Sequence, residues 1–305
     1  MPGGRAGVYL GLDADRRSHL LIETGERAAS PTRTAAISID HVRLMIGGVA
    51  RELVDVVCEI DALTEVFDHF VVAVVERLSG AEEAALPVVL EVVERWRRFL
   101  VSAGGPPGRD RLSAVYGELL VLLDVVRADP QCRVDVWVGP FKGRHDLRRG
   151  GVAIEVKTTR AHTGRIVTIH GEDQLQAPDH GDLHLHLIRL EEVPDGGGSV
   201  PSIVDDLLAA GAPAGDLFDA MAAAGVPPAE FSAASGVRFD VRERLTFPVD
   251  GRMPRIVPAT FAEGQRPAGI VDVVYRIDLD HVLDTALNET AYDDLIARLS
   301  VTETA

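Results

Sequence analysis

The sequence predicts an α/β protein in three segments, 1–104, 105–190 and 191–305. Two observations carry that expectation. Short runs of alternating apolar residues interleave with longer runs at helical spacing. A Gly/Pro-rich break, "SAGGPPGRDR", then separates an N-terminal α+β segment from a different order of elements. After it come a helix, a hairpin, a strand, a short helix and a last strand, an order that lets helices pack on one sheet.

Residues 7–23 and 33–46 read as short strands, with "DADRRS" and "GERAASPT" as turns. "ELVDVVCEID" follows. "LTEVFDHFVVAVVERLSG" then places Leu63, Val66, Phe67, Phe70 and Val74 on one helical stripe ending at Gly80. A second helix, about 82–102, carries Leu86, Val89, Leu90, Val93, Trp96 and Leu100. Past the break, "RLSAVYGELLVLLDVVRAD" is an apolar helix opened by Ser113 and closed before Pro130. "RVDVWVGP" reads as a strand with Trp137 in the core, and "FKGRHDLRRGG" as a basic turn. "VAIEVKTT" and "RIVTIH" are strands, "EDQLQA" is a short helix and "DLHLHLIRLEEV" is a further strand. Beyond a "PDGGGSVPS" linker lie helices near 201–211 and 214–225, strands near 236–247 and 269–278, and a helix near 288–299.

Composition narrows the class. With 46% hydrophobic and 26% charged residues, the chain is ordinary globular material. Its longest apolar runs, "FVVAVV" and "LPVVLEVV", fall short of the roughly 18 residues that span a bilayer. The N-terminus shows no signal-peptide pattern, and Cys58 and Cys132 are too few for a disulfide framework, so the cytoplasm is expected. Net charge of −16 argues against a nucleic-acid partner, but the charge is unevenly spread. Between Arg133 and Arg165 eight basic residues face three acidic ones, leaving +5 locally and −21 elsewhere. Both lysines of the chain, Lys142 and Lys157, lie in this window.

The chemistry concentrates there. In "GVAIEVKTTR", Val152, Ile154 and Val156 fill one strand face, and Glu155 and Lys157 share the other. A hairpin with its tip at Arg149 and Gly150 would bring Asp146 across from Glu155. Two carboxylates at a sheet edge form a hard oxygen site suited to Mg²⁺ or Mn²⁺, which can polarise a phosphate and activate water. A compact ammonium at 157 suits a single water or oxygen, where an arginine fork would not. Glu118, in "YGELLVLL", interrupts an apolar helix face, and a buried carboxylate needs a partner. The plain alternative is a surface Glu–Lys pair worth under about 1 kcal/mol.

With these residues in place, 116–190 resembles the PD-(D/E)XK nuclease superfamily. The resemblance rests on "GELL", on "WVGPFKGRHD", on "GVAIEVKTT" and on "EDQL". It is similar in particular to bacterial PD-(D/E)XK motif proteins found among restriction and phage-defence genes. Flanking blocks "FDHFVVAVVERL", "VERWRRFL", "FPVDGRMPRI" and "VVYRIDL" extend the likeness over most of the chain, and His145 stands where the motif has proline. The resemblance implies a restriction-endonuclease-like core, a mixed sheet flanked by helices, between α+β segments. It implies Asp146 and Glu155 as metal ligands, with Glu118 and the carbonyl of Val156 completing the set. Lys157 would be the catalytic lysine, and Gln174 would line the site. The implied activity is Mg²⁺- or Mn²⁺-dependent DNA cleavage, beside a methyltransferase, ATPase or helicase of a defence system.

Lys142, Arg144, Arg148, Arg149 and Arg160 are the natural phosphate contacts. Oligomeric state stays open, a homodimer included. Two other functions compete. One is a non-cleaving DNA-binding or scaffold subunit. The other is a zinc hydrolase built on His180, His184 and His186, since the His184–x–His186 pair alone falls short of the three or four ligands and supporting shell a zinc site needs.

Overall fold

The computed structural model describes residues 7–24, 32–33, 37–59, 63–79, 85–97, 106–129 and 134–301. Two compact units divide the chain: residues 1–105 with 227–232, and residues 106–226 with 233–305.

In the first unit, strands β1 (Val8–Leu12), β2 (Ser18–Glu23), β3 (Thr32–Arg33), β4 (Ile37–Ile46) and β5 (Val49–Cys58) form one sheet in the order β1-β2-β5-β4-β3. Every pairing in it is antiparallel. Gly47 and Gly48, with φ of 59° and 81°, make the two-residue turn that folds β5 back on β4. Helices α1 (Thr64–Ser79) and α2 (Ala85–Arg97) bury an aromatic cluster in which Phe70 meets Phe67 and Trp96, each at 5.4 Å between centroids. Leu86, Val89, Val93 and Trp96 are buried as expected, whereas Leu90 faces out and Val88 faces in. Leu100, Gly80, Cys132 and nearly all of the "GERAASPT" turn lie outside the described residues.

The second unit contains helices α3 (Arg109–Ala128), α4 (Val200–Ala209), α5 (Ala214–Ala223) and α7 (Glu289–Ser300); the short α6 (Phe231–Ala234) is divided between the two units at 232/233. Its strands are β6 (Leu147–Arg149), β7 (Val152–Thr159), β8 (Ile166–His170), β9 (Asp182–Val193), β10 (Arg238–Pro248) and β11 (Val274–Asp278). A mixed sheet runs β10-β9-β7-β6, with β7 and β9 parallel and the other pairs antiparallel. β8 joins β11 in a separate two-stranded sheet instead of extending the main one. The division expected at 190/191 falls inside β9, whose neighbour β10 comes from the C-terminal segment.

β7 is covered on both faces, as a central strand must be. Its even-numbered side chains face α3, which carries Gly117 at the contact. A Cβ at Gly117 would collide with Cγ2 of Thr158 and lie 3.6 Å from Cγ1 of Val156. The odd face continues from Ala153 into a core of Leu183, Leu185, Leu187, Phe247, Val167, Ile169 and Ile277.

Three local expectations need correcting. α3 begins at Arg109, so Ser113 lies inside it and its hydroxyl donates to the carbonyl of Asp110 at 3.0 Å. The described part of "RVDVWVGP", 134–140, is not a strand. It forms two single 3₁₀ turns, Val134–Val136 and Gly139–Phe141, because the N–H groups of Val138 and Gly139 both turn onto the carbonyl of Asp146. "EDQLQA" is a turn closed by Gln176 N–H on the carbonyl of Asp173, not a helix. The "PDGGGSVPS" linker is partly structured, since Gly198 bridges to Phe239 and Ser199 caps α4.

Candidate active site

The β6–β7 hairpin sets the geometry. Leu147 pairs with Ile154 and Arg149 with Val152, so Asp146 immediately precedes the ladder opposite Glu155. One carboxylate oxygen of Asp146, Oδ2, accepts the backbone N–H of Val156 at 2.7 Å. Glu155, only 2% exposed, lies 2.8 Å from the Nζ of Lys157 on the same strand face. Lys157 also donates to Oε1 of Gln174 at 3.0 Å, and that oxygen accepts the N–H of His170 at 2.8 Å. Gln174 thus reaches the lysine from a turn after β8.

Glu118 arrives from α3, brought close by the missing side chain of Gly117. Its Oε2 accepts the indole N–H of Trp137 at 2.7 Å. Gly139 sits between the acids. A Cβ there would be 3.0 Å from Oδ1 of Asp146 and 3.5 Å from Oε2 of Glu118. His145 is buried, and its Nε2 meets the carbonyl of Gln176 at 3.0 Å, tying the Asp146 loop to the turn that carries Gln174.

Crowding a buried Glu155 with half-buried Glu118 and Asp146 has the expected electrostatic cost. Desolvation, then the charge of Asp146, pushes Glu118 up to about 8, against the pull of the Trp137 indole. The same two causes push Glu155 up to about 8, with Lys157 opposing them. Burial also raises Asp146, offset by the Val156 N–H and by Lys157. Of the three carboxyls only Glu155 is in ion-pair contact with Lys157 among the described residues, so protons or a cation must answer the remaining negative charge.

Among the described residues no three His, Cys, Asp or Glu side chains are gathered closely enough to ligate one ion as they stand. The donor set still fits a hard divalent cation in kind. It consists of oxygens alone, with Glu155 buried and Glu118 and Asp146 half-buried, and desolvation raises all three acids above their ordinary range.

The basic residues separate into two groups. Lys142, Arg144 and Arg148 are exposed. Arg149 differs from the expected phosphate contact, because its guanidinium is taken up inside the unit. It donates to the carbonyls of Leu299 and Ser300 at 3.1 and 3.2 Å, at the end of α7, and pairs with Asp135. Arg160 pairs with Asp110 and lies 3.7 Å from Glu192.

The three histidines are not brought together as a zinc site. His184 and His186 are buried on the face of β9 opposite Glu155 and Lys157, while His180 is in an exposed turn with φ of 56°. His186 Nδ1 bonds the hydroxyl of Thr246 at 2.7 Å, and its ring stacks on Tyr292.

A protein-family model described as "Putative PD-(D/E)XK family member, (DUF4420)" matches residues 2–280. The chain belongs to that family. No curated protein and no solved structure matches it. The mixed α/β fold of this PD-(D/E)XK member, with its mixed sheet and packed helices, is consistent with a restriction-endonuclease-like fold. Sequence reasoning missed the parts that hold the site without reacting: the indole of Trp137, the space at Gly117 and Gly139, and the His170 N–H. The "VGP" after Trp137 was the available signal for a turn at Gly139.

Proposed function

We propose that the protein is a metal-dependent endonuclease that hydrolyses DNA phosphodiester bonds in a restriction or phage-defence system. The observation that supports this most is one cluster: Lys157 in contact with Glu155 and Gln174, on a strand whose Val156 N–H holds Asp146. Asp146, Glu155, Glu118 and the carbonyl of Val156 are the residues that would hold the ion. Bound there, Mg²⁺ or Mn²⁺ would supply Lewis acidity toward the scissile phosphate.

The protein's own groups do the rest. Two donors of the Lys157 ammonium are engaged by Glu155 and Gln174, and the third remains for a water or a phosphate oxygen. Its charge opposes the negative charge that grows on the phosphate. Lys142, Arg144 and Arg148 contact flanking phosphates. Water adds across one P–O bond, so no covalent enzyme intermediate is required. One site makes one nick, and double-strand cleavage then takes a homodimer or a second encounter. A methyltransferase, ATPase or helicase is the proposed partner, and the cytoplasm the proposed location. No described helix is long and apolar enough to cross a membrane.

Incubation of the wild-type protein with supercoiled plasmid tests this reading. Nicked circles in Mg²⁺ or Mn²⁺ and none in EDTA are expected. Intact plasmid with every divalent ion tried would contradict it. One observation favours a non-cleaving DNA-binding or scaffold subunit: the carboxylates are engaged by Trp137, Val156 and Lys157 rather than gathered for a ligand. Such a subunit would retard DNA without nicking it.

A further inference from the structure

Phe141 presents an aromatic ring to solvent beside the candidate site. The residue is 58% exposed, at the end of the 3₁₀ turn that starts at Gly139. The loop bearing it is pinned. Phe141 N–H and Gly143 N–H both donate to the carbonyl of Val138, at 3.1 and 3.0 Å, and Lys142 N–H donates to Gly139 at 3.0 Å. Lys142 takes the left-handed conformation, with φ of 63°, that closes the turn. The base of the loop is Asp146 itself, whose carbonyl accepts from Val138 and Gly139 at 2.9 and 3.0 Å. Lys142 and Arg144, next to Phe141 in the chain, and Arg148 in β6 are exposed and make no ion pair among the described residues. Arg149, Arg160 and Arg165 of the same basic window are all paired with acids.

We propose that Phe141 is a nucleobase-stacking residue that seats an unpaired base next to Asp146, so that the preferred substrate strand is single-stranded or locally opened. The inference rests on the phosphodiesterase reading above and deepens it. Cations that track a backbone, interleaved with an aromatic face, are the elements of a single-strand platform. Bases in an intact duplex are stacked on one another, so a ring on a short fixed loop gains a base face only where the strand is open. Exposure of a large apolar ring among free cations suits a polyanion with flat apolar bases better than an apolar protein surface.

Fluorescence anisotropy in EDTA, where cleavage is silent, tests the proposal on the full chain. The probes are labelled dT₁₂, a twelve-residue abasic strand and a twelve-base-pair duplex. Phe141→Ala is expected to weaken dT₁₂ about tenfold, leave the abasic strand and the duplex unchanged, and be rescued by Phe141→Trp. The same pattern on rU₁₂ supports the stack and shows that it is indifferent to the sugar. Unchanged dT₁₂ affinity overturns it, as does an equal loss on dT₁₂ and the abasic strand, which would give the ring a role in loop folding. Wild-type protein that nicks plasmid yet binds dT₁₂ no better than the abasic strand overturns the stack alone. Protein that neither binds nor nicks overturns the nuclease reading with it, and Phe141-dependent capture of an acidic protein in place of DNA points to a protein partner.

Discussion

The side-chain amide of Gln174 holds the ammonium of Lys157 from outside its strand, with Oε1 at 3.0 Å from Nζ. The same oxygen accepts the N–H of His170 at 2.8 Å, so the amide cannot rotate away without losing a second bond. Gln174 therefore fixes where the lysine points. Gln174→Leu removes the acceptor at similar volume. Cleavage is expected to fall in kcat by about one to two orders of magnitude with KM little changed, the size a misplacement near 1 Å produces. A rise in KM alone would show that Gln174 contacts substrate instead.

Gly117 sets how closely α3 approaches β7. A methyl group there meets Cγ2 of Thr158, with Ile188 Cδ1 at 3.5 Å behind it. Gly117→Ala is expected to cost about 1–3 kcal/mol in urea denaturation, the range for overpacking, despite alanine's better helix propensity. Because Glu118 is the next residue, activity should drop as well. A stabilised Gly117→Ala protein would show that the helix moves freely on the sheet.

A cation that binds the native carboxylates stabilises the fold by mass action. At a concentration one hundred times its Kd, Mg²⁺ or Mn²⁺ should add about 2.7 kcal/mol, visible as a rise in Tm that EDTA reverses. Asp146→Asn keeps an oxygen for the Val156 N–H and loses the charge, so it should abolish most of that rise. An undiminished rise in Asp146→Asn would place the ion elsewhere.

His186 provides a pH test on the sheet face opposite Glu155 and Lys157. Complete burial, reinforced by the charge of Arg244, lowers it from 6.5 to about 3. Below pH 6.5 the unfolded chain takes up a proton that the folded chain refuses, so its contribution to stability is lost as pH falls toward 3. Relative to His186→Asn, the wild type should lose about 1.4 kcal/mol per pH unit between pH 6 and 4. Parallel stability curves for the two proteins would show that His186 titrates normally in the fold. The variant comparison matters, since Glu118 and Glu155, raised to about 8, contribute with the opposite sign.

Legibility in the sequence followed physical range. β7 was legible because alternation and register are local, and the nine-position separation of Asp146 and Glu155 defines a hairpin almost unaided. Glu118 was legible as a carboxylate on an apolar helix face. The 133–140 segment was not, because its apolar alternation looks like a strand while its N–H groups are claimed by the carbonyl of Asp146. Nor was Arg149, whose acceptors Leu299 and Ser300 are 150 residues away in sequence. β8 reads as a strand, but nothing local says that its partner is β11.

The most direct measurement is single-turnover cleavage of labelled DNA by wild type, Lys157→Ala and Lys157→Arg in saturating Mg²⁺ or Mn²⁺, with each variant's fold verified by its melting transition. Lys157→Ala is expected to be slower by about two to three orders of magnitude. Lys157→Arg should not restore the rate, because a fork cannot meet Glu155, Gln174 and a water in the place of one ammonium. A folded Lys157→Ala protein that cuts at the wild-type rate with the same metal requirement would contradict the assignment of catalysis to this strand.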